Sequence, residues 1–168
     1  NERQLCYTAH GNEAEYKLMV KAAAERLMRA LREYPDRNLV TLTTEDDGTV
    51  CECDFCRESK KKYGADSAAV ILFINEVRAE LDGLLEREEN KQYDRDFDIL
   101  FFAYSSYEEA PSSKNEKTGK YEANNGIRCA DGVSVWMAPI KADFTHNMTA
   151  AENLSTREKT DAWKAISD

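Results

Sequence analysis

Three cysteines in a C-x-C-x-x-C spacing, Cys51, Cys53 and Cys56, follow closely on three adjacent acids, Glu45, Asp46 and Asp47. Three thiolates supply all but one of the ligands of a structural zinc, which takes four, so Cys6, His10 or Cys129 must complete the set. Cys6 is the best fourth candidate, because its segment reads as the strand preceding the one that leads into the cysteines, and consecutive strands are usually neighbours. A disulfide among Cys51, Cys53 and Cys56, or from one of them to Cys6, is the competing reading for an exported protein. A nucleophilic thiol ranks last, since Glu45, Asp46, Asp47, Glu52 and Asp54 would raise its pKa and suppress the thiolate. The acids have their own chemistry. Neighbouring carboxyls raise one another's pKa, which helps keep one protonated as a general acid beside an ionised partner. The plain alternative is a solvated turn at Asp46-Asp47-Gly48.

The elements that must position these groups can be read from periodicity. Gln4 to His10 is partly alternating and stops at Gly11, as a strand does. Between Asn12 and Tyr34, apolar residues recur at threes and fours, which predicts a helix ended by Pro35. Asn38 to Thr44 is rich in β-branched residues and predicts a second strand. Ser67 is placed to cap a helix running to about Asn90. Phe97 to Tyr104 is a nearly continuous apolar run, as in a strand buried on both faces. Glu108 to Gly126 has no period and reads as a long loop, Val133 to Ile140 as a fourth strand, and Ser155-x-x-Glu158 as a capping box opening a last helix. The order β-α-β-α-β-loop-β-α indicates an α/β fold with parallel strands. A chain of 168 residues has room for one domain, with a cysteine loop at 45–64 and a long loop at 105–132. The formal charge of −9 argues against nucleic acid as a partner. No apolar run approaches the ~20 residues of a transmembrane helix.

The ordered set "LCYTAHG", "VTLTTEDDG", "CECDFC", "FINEV", "FFAYSSYEEAP", "MAPIKADFTH" and "DAWKAI" resembles the bacterial domain of unknown function 4838 family. Its members look like (β/α)8, TIM-barrel glycoside hydrolases of α-glucuronidase or hexosaminidase character, secreted by polysaccharide-degrading bacteria. The resemblance implies that this chain is a partial barrel of about four strands, with exposed strand edges available for self-association. It also implies a secreted, periplasmic or cell-surface protein with a glycan as substrate or ligand. The chain departs from the family pattern at Glu45, where a polar residue more often precedes the aspartate, and at Pro111, where two prolines are common.

In a parallel barrel the working residues follow the C-terminal ends of the strands. That rule selects His10 after the first strand; Glu45, Asp46 and Asp47 after the second; Tyr104 and Tyr107 after the third; and Asp143 and His146 after the fourth. Glycoside hydrolysis needs two carboxyls, one to protonate the leaving oxygen and one to attack or to activate water. Asp47 is the first choice for such a role, with Asp46 and Glu45 beside it. Tyr104 and Tyr107 could stack on sugar rings, with core packing as their alternative; His10, Asp143 and His146 could orient substrate. No cofactor is required; a structural zinc is possible at the cysteines, with a disulfide as the alternative. Two further functions stay open: a glycan-binding module without catalysis, and an α/β interaction domain stapled by zinc or a disulfide.

Overall fold

A computed structural model describes residues 4–46 and 48–167. Helix α1 spans Glu13–Glu33 and opens on Asn12, whose side-chain oxygen accepts from the backbone N–H groups of Ala14 and Glu15 at 3.1 and 3.3 Å. It buries Val20, Ala24, Leu27, Met28 and Leu31; Val20, Leu27 and Leu31 are among the positions whose spacing predicts the helix, whereas Tyr34, at the end of that series, is exposed. Strand β1 (Leu39–Thr41) is followed by two helices, α2 (Asp54–Tyr63) and α3 (Ser67–Leu85). Strand β2 (Asp98–Ala103) comes next, then a short antiparallel hairpin of β3 (Ser112–Lys114) and β4 (Tyr121–Ala123), then strand β5 (Val133–Met137) and helix α4 (Leu154–Lys164).

The main sheet is parallel, in the order β1-β2-β5. Its strand order never reverses, so crossovers of the usual right hand stack every helix on the same face. Burial agrees: Val40, Ile99, Phe101, Ala103 and Val133 are buried, and the Phe101 ring lies 5.8 Å from that of Trp163 on α4. On the opposite face, Leu39 and Trp136 are 44% and 57% exposed, and Trp136 packs edge-on against Phe102. A singly wound parallel sheet with helices on one side is consistent with a partial α/β barrel-like fragment.

Three local expectations need correction. Gln4–His10 is not a strand: Ala9 donates to the Cys6 carbonyl and Gly11 to that of Thr8, and Ala9, His10 and Gly11 all have positive φ. A backbone in the left-handed region cannot lie in a ladder, so the sheet holds three strands among the described residues. The cysteine loop contains helix α2, and the long loop contains the β3-β4 hairpin. Ser67 and Ser155 lie inside their helices rather than capping them; the Ser67 hydroxyl instead donates to the Glu109 carbonyl.

Arg78 holds the N-terminal ends of two strands together. Its guanidinium donates to the Phe97 and Gly132 carbonyls at 3.2 and 3.3 Å and lies over the Phe97 ring, with Asp82 pairing it from the next turn.

Candidate metal centre

Four sulfurs converge above the C-terminal end of β1. Cys6 comes from the turn before α1, Cys51 from the loop after β1, and Cys53 and Cys56 from the start of α2. Cys53 is the N-cap of that helix, and its sulfur accepts the backbone N–H of Cys56 at 3.4 Å. A C-x-x-C laid across a helix N-terminus points both thiols the same way and sets them at the positive end of the helix dipole, which favours thiolate. The spacing alone carried this much information, and so did the end of α2: Lys60, Lys61 and Lys62 in the last turn, then Gly64 in the left-handed conformation.

Cys6 reaches the group because its own chain turns back. The left-handed residues Ala9 and His10 aim the His10 N–H at the Cys6 sulfur, 3.2 Å away. Each such non-glycine residue costs about 1–2 kcal/mol. Strain of this kind is held where surrounding contacts over-determine it. His10 therefore contributes its backbone here, while its side chain is exposed.

The geometry separates the two readings of the cysteines. Cys6 lies 3.6 Å from Cys53 and 3.8 Å from Cys56, sulfur to sulfur, and all four sulfurs fall within 4.8 Å of one another. A disulfide needs about 2.05 Å, and all five cysteines are free. A tetrahedron of sulfurs about 2.3 Å from a central ion has edges of about 3.8 Å. The four thiols are thus positioned to hold one metal ion such as zinc. The Thr8 hydroxyl sits among them, 3.3, 3.7 and 3.4 Å from Cys6, Cys53 and Cys56.

The thiols are electrostatically unequal. Burial raises the Cys6 thiol, but the Thr8 hydroxyl, the His10 and Thr8 N–H groups and Cys51 outweigh it and bring the value down to about 7. At Cys53, burial is likewise overcome by the Cys56 N–H, the Thr8 hydroxyl and Cys56, and the thiol is lowered. Cys51 and Cys56 are raised, burial being the largest cause in each. Four clustered thiols cannot all ionise unaided, and a bound cation resolves that conflict.

The other candidate residues occupy distinct places. Glu45 and Asp46 are exposed on the loop between β1 and Cys51, tied down by the Gln4 side chain, which donates to the Glu45 carbonyl at 2.8 Å. Asp47 lies outside the described residues. Tyr104 is half-buried beyond β2, whereas Tyr107 is 4% exposed and packs edge-on against Tyr7, in the wall behind Cys51 and Cys56. Asp143 and His146 pair at 2.9 Å on the exposed loop after β5, which the buried Asn153 pins by accepting the Asp143 N–H and donating to the Asp143 and Asn147 carbonyls. Hydrogen bonds from Thr145 and His146 hold the Asp143 carboxyl below the usual range. Sequence reasoning overlooked the buried Glu108, which accepts from Lys159 at 2.5 Å and ties α4 to the end of β2. Its only sequence signal is a pair of acids beside a strand end.

A family model described as "Domain of unknown function (DUF4838)" matches residues 2–168, and the chain belongs to that family. No curated protein and no solved structure matches it.

Proposed function

We propose that this chain is part of a carbohydrate-active α/β barrel in which a structural zinc, held by Cys6, Cys51, Cys53 and Cys56, fixes the loop that presents the acids after β1. The observation that carries the reading is the four-sulfur cluster, which follows Glu45 and Asp46 in the loop beyond β1, the strand end where barrels place their chemistry. Four protein ligands leave no open position, so the ion's part is structural and the reaction belongs to the carboxylates. One acid of Glu45, Asp46 and Asp47 protonates the leaving glycosidic oxygen, and a second carboxylate attacks or activates water. The family resemblance supports the carbohydrate class and export from a bacterial cell. The free edges of β1 and β5 are the surfaces through which such a piece would associate with further strands.

The test is a glycan panel read for both binding and released sugar on the full-length protein and its Asp46→Asn and Asp47→Asn forms. Release that the substitutions abolish while binding persists supports hydrolysis. Binding without release makes the domain a glycan-recognition module, and neither activity in folded, zinc-loaded protein overturns the carbohydrate reading.

A further inference from the structure

The two walls that the sulfur cluster joins enclose a second feature. Between the turn at Gly11–Asn12 and helix α2 lies a cleft of about 420 Å³, floored by α3. That is within the roughly 300–1,000 Å³ usual for small-molecule sites. Phe55 stands at its edge, 48% exposed although it is flanked by two of the cysteines. Tyr16 and Tyr63 line the same space. Flat aromatic faces of this kind bind ring compounds that have an apolar side. At the cleft wall the Ser59 hydroxyl oxygen is buried with no hydrogen-bond partner among the described residues, and rotation about its Cα–Cβ bond would turn this unspent group towards a ligand. The rim carries little net charge: Glu13 is paired with Lys17 at 2.6 Å, and Glu58 is balanced in sign by Lys62, whose ammonium lies 4.8 Å from the Tyr63 ring centroid and leaves Phe55 as the more open aromatic face. The matching ligand is uncharged, ring-shaped, apolar on one face and hydroxylated at its edge.

We propose that this cleft is a binding site for a single neutral pyranose ring, separate from the acids after β1, and that metal occupancy holds it open. The sugar class rests on the carbohydrate reading above; the cleft and its link to the metal do not. The link follows from chain connectivity. Thr8 sits two residues beyond Cys6 and lines the cleft, and Phe55 lies between Cys53 and Cys56, so the four sulfurs set the distance between the two walls. Gly11 is the closest point of approach. A Cβ there would overlap the Phe55 ring, and its φ of +78° disfavours any side chain.

The experiment titrates methyl β-glucopyranoside, N-acetylglucosamine and, as a charged control, glucuronate into the zinc-loaded protein, followed by amide NMR. The expected result is shifts at Gly11, Phe55 and Ser59 with the neutral sugars. Phe55→Ala weakens binding about tenfold, and Ser59→Ala by a lesser factor. Gly11→Ala also weakens it, and a chelator abolishes it, whereas Asp46→Asn leaves it intact. Zinc content and melting temperature measured on each variant exclude a folding defect as the cause. Absence of shifts at the cleft with all three sugars overturns the proposal. So do shifts that Phe55→Ala and Ser59→Ala leave unchanged. Sugar release without cleft shifts sinks this inference and keeps the catalytic reading; cleft shifts without release do the reverse.

Discussion

Removing the metal, or one of its ligands, is the perturbation with the largest consequence. Helix α2 has ten residues and buries none of them. Isolated helices shorter than about 12–15 residues are marginal in water, so α2 depends on what anchors its ends. At its C-terminal end the anchors are hydrogen bonds from the Asn124 and Asn125 side chains to the Tyr63 and Lys62 carbonyls. At its N-terminal end they are the sulfurs. With free zinc a thousandfold above its dissociation constant, binding adds about 4 kcal/mol to stability. At roughly 2–4 °C per kcal/mol for a chain of this size, a chelator lowers the melting temperature by about 8–16 °C. Cys53→Ala does the same and also deletes the helix cap. The protein is prepared reduced and metal-replete, then read by elemental analysis, thiol titration and calorimetry. The expectation is one zinc per chain, four thiols that react only after chelation, and loss of amide protection first in α2 and the turn at Thr8–Asn12. Cobalt exchanged into the site gives the intense visible bands of tetrahedral thiolate ligation. Four rapidly reacting thiols without zinc would refute the reasoning, as would full zinc retention in Cys53→Ala.

Three smaller predictions test the scaffold. Lys159→Met leaves the buried Glu108 with Lys141 at 3.8 Å as its one cation among the described residues, and destabilises the domain by about 3–5 kcal/mol in urea unfolding; Glu108→Ala costs less, because Lys159 keeps Glu109 at 2.9 Å. Gly132→Ala places a Cβ on the Arg78 guanidinium at a φ of +71°, displacing it from the carbonyls at the strand ends, for a loss of about 2–3 kcal/mol by the same assay. Burial pushes the Cys129 thiol up from 9.0 to about 12, so the unfolded chain releases that proton first as pH rises. The associated stability is fully present below about 9 and is lost as pH climbs towards about 12, and the fall between about pH 8 and about pH 10.5 is shallower in Cys129→Val.

The long elements were legible because burial imposes a period. The threes and fours of α1 report one buried face, and the apolar run of β2 reports a strand covered along most of its length; both form where the pattern places them, while the strand read from Val133 to Ile140 ends at Met137. Helix α2 carries no such pattern, since it buries nothing, and the segment therefore reads as a loop; its signals were the cap at Cys53 and the Lys60–Lys62 run before Gly64. The segment 4–10 misled for the opposite reason. Its residues alternate as a strand's do, but their partners are sulfurs and a tyrosine cluster rather than a neighbouring strand, and no local rule detects a contact that distant. Cys51, Cys53 and Cys56 were readable from their spacing, whereas Cys6 was the right fourth donor for the wrong reason: it joins them through the turn at Ala9–His10 and not as part of a neighbouring strand. Tyr107 was not readable, since an aromatic after a strand serves a ligand or the core equally well, and only packing against Tyr7 separates the two.

That missing strand also gives a reason for four cysteines to be gathered here. In a barrel each strand is held by its neighbours' backbone hydrogen bonds, yet the segment before α1 has left the sheet. It is attached instead by Tyr7 in the core, by the Gln4 side chain on the Glu45 carbonyl, and by the Cys6 sulfur. Two of those three attachments lead to the acid-bearing loop or to the cysteines that end it. The position of Glu45 and Asp46 and the occupancy of the sulfur cluster are therefore one variable. Under the proposed hydrolase reading, a substitution at Cys6, which touches no candidate catalytic group, impairs turnover as fully as one at Asp46. The two can be told apart because supplying zinc in excess would rescue neither the Asp46 change nor its chemistry, but would partly restore a Cys6→His form able to complete the tetrahedron.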